Sequence, residues 1–136
     1  MARYIYISML ILSRVLPITN DETGWSYNQS TFQCFYMFES ITVNGEDVEE
    51  TDLLGAFIND VCIGYSYTYP MGDGGQGGGF STLPLMGNDG GFWNYISVGE
   101  IPTVIFYDSS EGTFLGLNIS STYVDINYNQ EYIIEK

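Results

Sequence analysis

The sequence predicts an all-β chain: an antiparallel β-sandwich, immunoglobulin-like or jelly-roll-like, with an extended N-terminal β-arm. Three observations lead there. Apolar and polar residues alternate in short runs, the period that lines one face of a strand. Clusters of Gly, Asn, Asp and Pro, the residues of tight turns, separate those runs. No long window repeats its apolar residues at helical spacing. The 136 residues are 45% hydrophobic and 16% aromatic, enough for one core and too apolar for an acidic disordered tail.

The first element is the arm, residues 1–20. Within it Ile5, Ile7, Met9, Ile11 and Val15 fall on one side of an extended chain, and Tyr4, Tyr6, Ser8, Leu10 and Leu12 on the other. Pro17, which has no N–H to donate, ends the run. At about 3.3 Å per residue, Tyr4–Leu16 reaches roughly 43 Å, far beyond an ordinary strand. The apolar stretch between Arg3 and Arg14 is too short for a membrane-spanning helix, which takes about 20 residues. As a secretory signal peptide it is interrupted by Arg14 and followed by no small-x-small cleavage site. Two readings stand: a first strand of the chain's own sheet, or a donor strand that adds to the open edge of a neighbouring copy. Burying the five knobs would contribute on the order of 7–15 kcal/mol before the cost of ordering the arm is subtracted.

The body, residues 21–136, reads as a series of short strands in one domain. Thr31–Val43 alternates Phe32, Cys34, Tyr36 and Phe38 with Gln33, Phe35 and Met37. Leu53–Ile58 and Val61–Tyr69 flank an Asn59-Asp60 turn. Phe80–Met86, Phe92–Ile96 and Thr103–Tyr107 follow, then Thr113–Leu117 after an Asp108-Ser109-Ser110-Glu111-Gly112 hairpin signature. Tyr123–Tyr128 and Glu131–Ile134 are the last predicted strands. Strands and turns at this spacing describe two packed antiparallel sheets, with no solenoid repeat.

Charge separates the arm from the body. The chain has 17 Asp+Glu, 3 Lys+Arg and no His, a net charge of −14. Arg3 and Arg14 both lie in the first 20 residues, which contain no acid, so the arm carries +2 and the body −17 + 1 = −16. An acidic body repels nucleic acid and anionic membrane surfaces. Without His the usual general base and imidazole ligand are missing. Paired carboxylates would be enough for a glycosidase, but 17 acids make accidental pairs common, and the expectation is a protein that is not an enzyme. A basic arm meeting an acidic neighbour would relieve repulsion between copies, with Arg3 and Arg14 as electrostatic guides.

Several clusters carry further chemistry. Glu46, Asp47, Glu50 and Asp52 lie in the densest acidic run, and Asp108 in a turn. Together they are the candidate oxygen ligands for calcium, against the plain alternative of a solvated acidic turn. The Gly-rich stretch from Met71 to Gly79 lacks the Lys-Ser/Thr ending of a phosphate-binding loop and reads as a surface loop. Asn88-Asp89-Gly90-Gly91 is a second tight turn. Asn28-Gln29-Ser30 and Asn118-Ile119-Ser120 are acceptor sequons, making Asn28 and Asn118 candidate glycosylation sites. Cys34 and Cys62 fall in predicted strands, either paired across the sandwich or buried as separate thiols. Trp25, Tyr27, Tyr65, Tyr67, Tyr69 and Trp93 would form a sugar-stacking platform if exposed, and core if not.

Several segments resemble uncharacterised extracellular β-sandwich repeats of bacterial surface proteins. These are Trp25, Phe32, Met37 and Ile41-Thr42-Val43-Asn44-Gly45; Asp52-Leu53-Leu54-Gly55-Ala56-Phe57 with Cys62-Ile63-Gly64; and Pro84-Leu85-Met86-Gly87-Asn88-Asp89, Gly99-Glu100 and Val104-Ile105-Phe106-Tyr107-Asp108. The similarity runs from about Trp25 to Leu117 and leaves the arm outside. Where the repeats carry a basic residue after the Cys, this chain has Ile63. The resemblance implies an exported, non-enzymatic surface domain. One such domain plus an arm also resembles fibril subunits that exchange an N-terminal strand, a head-to-tail contact that builds a helical homopolymer. The expectation is therefore an extracellular or cell-surface fibre subunit whose partners are identical copies of itself. The alternative is a calcium-dependent adhesin or carbohydrate-binding module acting as a monomer, with glycans as partners.

Overall fold

A computed structural model describes residues 16–38, 40–69 and 81–117. Residues 1–15 of the arm, the whole Gly-rich stretch, Asn118 and the last two predicted strands lie outside the described residues.

The described chain is all β, with ten strands and no helix. They are β1 (Ile18–Thr19), β2 (Ser26–Tyr27), β3 (Gln33–Phe38), β4 (Thr42–Val43), β5 (Glu46–Asp47), β6 (Leu53–Ile58), β7 (Val61–Tyr67), β8 (Ser81–Met86), β9 (Thr103–Asp108) and β10 (Thr113–Gly116). Every ladder is antiparallel: a four-stranded sheet in the order β10-β9-β6-β7, a β3-β8 pair, and the small hairpins β1-β2 and β4-β5. Period two then sorts the side chains. Leu54 and Ala56 of β6, Ile63 of β7, and Val104 and Phe106 of β9 meet Phe38, Leu83 and Leu85 of the β3-β8 pair in one core. This two-layer, antiparallel arrangement is consistent with a β-sandwich.

The opposite face of the four-stranded sheet carries a second, smaller cluster. Trp25 lies there against Leu53 and Cys62, edge-on to Phe57 at 5.6 Å and to Tyr107 at 6.5 Å. A Cβ at Gly55 would stand 2.8 Å from the Trp25 ring, so the indole packs where the strand has no side chain. The β1-β2 hairpin is held to this outer side: the Asn20 amide donates to Tyr67 Oη at 3.3 Å. Ile18 and Thr19, grouped with the arm by sequence, are thus paired within the body.

The turns follow their residue types. Asn59 and Asp60 have φ of 46° and 66°, both positive as the tight hairpin between β6 and β7 requires. Asn44 and Gly45, at 54° and 85°, make the same kind of turn between β4 and β5. Two expected strands differ. Thr31–Val43 is not continuous, because β3 ends at Phe38 and β4 begins at Thr42. Phe92–Ile96 is a turn: Asp89 Oδ1 accepts from the N–H groups of Gly91 and Phe92, and the Phe92 and Tyr95 rings stack at 5.0 Å. Local side-chain bonds there outcompete a ladder.

Gly64 sets the distance between the layers. A Cβ at this position would overlap the carbonyl oxygen of Pro84, so β7 and β8 approach as backbone against backbone. Gly64→Ala is expected to cost about 3 kcal/mol by overpacking. Gly116→Ala, where a Cβ meets nothing within 4 Å, stays within about 0.5 kcal/mol of the parent. Urea unfolding of both variants checks the contrast.

Candidate functional site

The core is open at one end. The row of β3 that faces it starts with Phe32, just before the strand, and continues through Cys34, Tyr36 and Phe38. Phe32 is 63% exposed and Cys34 is also exposed, whereas Tyr36 and Phe38 fall to 7% and 1%. The opposite layer covers the far half of this row and not the near half. The result is a groove of about 740 Å³ floored by Phe32, Cys34, Tyr36 and Leu85 and walled by the segment from Ile96 to Ile101. Val98 and Ile101 stand fully or mostly exposed on its rim.

Hydrogen bonds fix the wall. Asp89 Oδ2 accepts from Thr31 N at 3.0 Å and Thr31 Oγ1 at 2.9 Å, tying the turn to the start of β3. Asn88 N donates to Ile96 O at 2.8 Å, and the Gly87–Ile96 bridge is parallel. Glu100 Oε2 accepts from Ser97 N at 2.7 Å. Tyr95 Oη accepts from Asn28 N at 2.7 Å and anchors the wall to the body. The N–H groups of Thr31 and Gly91 and the Thr31 hydroxyl hold the Asp89 carboxyl far below the usual carboxylate range.

Among the described residues no strand pairs with the edge of β3 beside this groove. Gly87 N donates to Phe32 O at 2.7 Å, which makes Phe32 and Gly87 a hydrogen-bonded pair. Such pairs alternate along an antiparallel ladder. In the register Cys34–Leu85, Tyr36–Leu83 and Phe38–Ser81 are therefore the bonded pairs. Gln33, Phe35 and Met37 turn their N–H and C=O groups away from β8. Pro84 confirms the parity, since it sits opposite Phe35 where no N–H is called for. Among the described residues β3 pairs with β8 alone.

Sequence reasoning missed the groove residues Phe32, Cys34, Leu85, Ile96, Val98 and Ile101. The available signals were Pro84 inside a strand and the apolar Val98 and Ile101 flanking Gly99-Glu100 in a turn-rich stretch. The arm residues Arg3, Ile5, Ile7, Met9, Ile11, Arg14 and Val15 lie outside the described residues.

Of the candidate calcium ligands, Glu46, Asp47, Asp52 and Asp108 line one cleft of about 470 Å³, together with Glu49 and Glu111. Glu50 does not line it. Asp52 is buried: its oxygens accept from Glu49 N at 2.8 Å, Ser109 N at 2.9 Å and Ser109 Oγ at 3.2 Å. The Ser110 hydroxyl and Glu111 N–H hold the Asp108 carboxyl low. Both carboxylates thus serve turns, and among the described residues no group of three or more acids or cysteines is arranged to hold a metal.

Asn28 is half-buried, and the hydroxyl of its sequon partner Ser30 is buried, donating to Gly87 O at 2.6 Å. Trp25 and Tyr27 are core, while Tyr67, Tyr69 and Trp93 are exposed. The cysteines are separate thiols, Cys34 in the groove and Cys62 buried, and desolvation pushes both upward in pKa.

Three outcomes follow from this geometry. In the body lacking residues 1–16, Ellman's reagent should react with Cys34 in the folded state and with Cys62 after denaturation, the Cys34 rate still climbing with pH above 8 because its thiol is raised. Asp52→Ala should lower stability by about 2–3 kcal/mol in urea unfolding, by stranding the Glu49 and Ser109 donors. The Asp89 bonds favour the charged form, so their contribution is full above an unfolded pKa of about 3.9 and declines as pH falls below it. Amide exchange at Thr31 and Gly91 should therefore accelerate relative to the core in acid, and in Asp89→Ala at all pH.

Comparisons with protein-family models, with curated proteins and with solved structures find no match to this chain.

Proposed function

We propose that this protein is a structural, non-enzymatic subunit of an extracellular or cell-surface fibre, which polymerises by inserting its N-terminal strand into a neighbouring copy. The observation that carries this reading is the run of β3 out of the core, from Phe38 at 1% exposure to Phe32 at 63%, beside a strand edge that no described residue pairs with. Exposed aromatic and aliphatic side chains in a groove with unpaired backbone at its lip are what β-augmentation uses. A contact between arm and groove on different faces is heterologous, the head-to-tail kind from which an open helical filament is built.

Charge supports the same reading. The described residues contain no Lys or Arg, so bodies approach one another as like charges. The arm, with Arg3 and Arg14, is the oppositely charged part of the chain. The resemblance to surface-protein repeats supports export, and the alternating arm supports insertion as a strand.

The second reading is a monomeric adhesin that binds calcium or glycan, and the acidic cleft and the 80% exposed Trp93 favour it. Such a protein works without the arm and gains thermal stability with added calcium or binds on a glycan array. Deleting residues 1–16 separates the two, because β1 begins at Ile18 and every described strand remains. The full chain should form filaments by electron microscopy and the deleted chain should stay monomeric; filaments from the deleted chain would defeat the fibre reading.

A further inference from the structure

The fibre reading leaves open where the arm is received and which of its sides faces inward. We infer that residues 5–11 of a second copy pair with the open edge of β3, placing Ile5, Ile7, Met9 and Ile11 against the groove floored by Phe32, Cys34 and Leu85. This rests on the proposed assembly and adds its address.

Four observations select this occupant. The first is length: Gln33–Phe38 offers about 17 Å of edge and Ile5–Ile11 spans about 20 Å when extended. Alternation is the second, because a strand added to β3 turns every other side chain to the core side, where Phe32 and Cys34 are exposed on an apolar floor. The third is charge. The competing segment, residues 118–136, holds Asp125, Glu131, Glu135 and Lys136, a net −3 + 1 = −2, while the arm is basic and the groove carries Glu100. Position is the fourth. The chain enters β1 on the outer side of the four-stranded sheet, whereas the groove belongs to the β3-β8 layer, so the arm starts from a different face from the one that receives it.

Backbone chemistry supplies the pairing. Gln33, Phe35 and Met37 point N–H and C=O outward, and an incoming strand meets them with alternate residues of its own. Glu100 lines the groove and puts a negative charge on its wall, opposite in sign to the arm.

The native Cys34 thiol makes this testable in the full chain. Single cysteines are introduced along the arm, Ile5→Cys, Ile7→Cys, Met9→Cys and Ile11→Cys against Tyr6→Cys, Ser8→Cys and Leu10→Cys, and mildly oxidised in a mixture of ¹⁵N-labelled and unlabelled protein. At least one odd-position variant should give disulfides to Cys34 joining labelled to unlabelled chains, at least ten-fold more than its even neighbours, and Cys34→Ser should abolish them. In parallel, Cys34 in unmodified assembled protein should alkylate at least ten-fold more slowly than in the chain lacking residues 1–16.

Links confined to one chain, equal yields at odd and even positions, or equal alkylation rates would overturn the inference. So would preferential linking of Cys34 to Val124→Cys or Ile126→Cys. Filaments that require residues 1–16 yet show no odd-position link would keep the fibre reading and remove this address. Odd-position links between chains without filaments would do the reverse.

Discussion

The close approach of Gly64 to the Pro84 carbonyl is the constraint on which the two layers depend. With no side chain between them, β7 and β8 draw together, and Ile63, Leu83 and Leu85 are wholly excluded from solvent. Fully burying one such side chain is worth about 1.5–3 kcal/mol, so this contact governs a large share of the core. It also fixes an asymmetry. The β3-β8 pair is anchored at β8 beside β7, and β3 extends outward from that anchor with less of the opposite sheet beneath it. The exposure gradient along β3 is the consequence. Phe38 packs in the core with residues of the opposite sheet, and Phe32 stands 63% exposed.

Electrostatics works within the body through hydrogen bonds in place of ion pairs. With no cation among the described residues, Asp52, Asp89 and Asp108 satisfy themselves on N–H and O–H groups. Each thereby closes a turn: Asp52 joins the Glu49 corner to Ser109, Asp89 ties the groove wall to Thr31, and Asp108 shapes the β9-β10 hairpin. Hydrogen bonds to an ionised acceptor are stronger than neutral ones, which suits loops that have no Lys or Arg beside them among the described residues. The cost appears between molecules. A body whose acids are engaged locally still presents net negative charge to its copies, and any stable self-association has to offset that repulsion.

Much of the strand pattern was legible because it is local. The β6-β7 hairpin is written in two apolar runs around Asn59-Asp60, whose side chains tolerate positive φ. The β9-β10 hairpin is likewise visible in the Asp108–Gly112 turn. What was not legible came from local bonds that override composition and, for the groove, from contacts distant in sequence. Phe92–Ile96 has the composition of a strand and becomes a turn through Asp89 and ring stacking. The β4-β5 hairpin hides in an acidic run, because Glu46 and Asp47 lack β propensity and pair through the Asn44-Gly45 turn. The groove was invisible for a deeper reason. Phe32, Tyr36 and Phe38 look alike in sequence, and their exposure depends on what another strand happens to cover.

The same point explains why a strand suits the groove better than a filled loop would. The floor alone would need a few apolar side chains, which any loop could provide. The lip is different: it presents three consecutive outward-facing backbone sites at the spacing of a ladder, at Gln33, Phe35 and Met37. A loop meets such sites irregularly and strands some of them under apolar cover, where an unmet amide costs about 1–3 kcal/mol. An extended segment meets all of them while its alternate side chains fill the floor. Apolar depth and backbone periodicity therefore call for the same ligand, a strand with large aliphatic residues at every second position. Within this chain Ile5, Ile7, Met9 and Ile11 form the uninterrupted aliphatic row of that kind. Because that row carries basic residues at its flanks, it is also the segment least repelled by an acidic body.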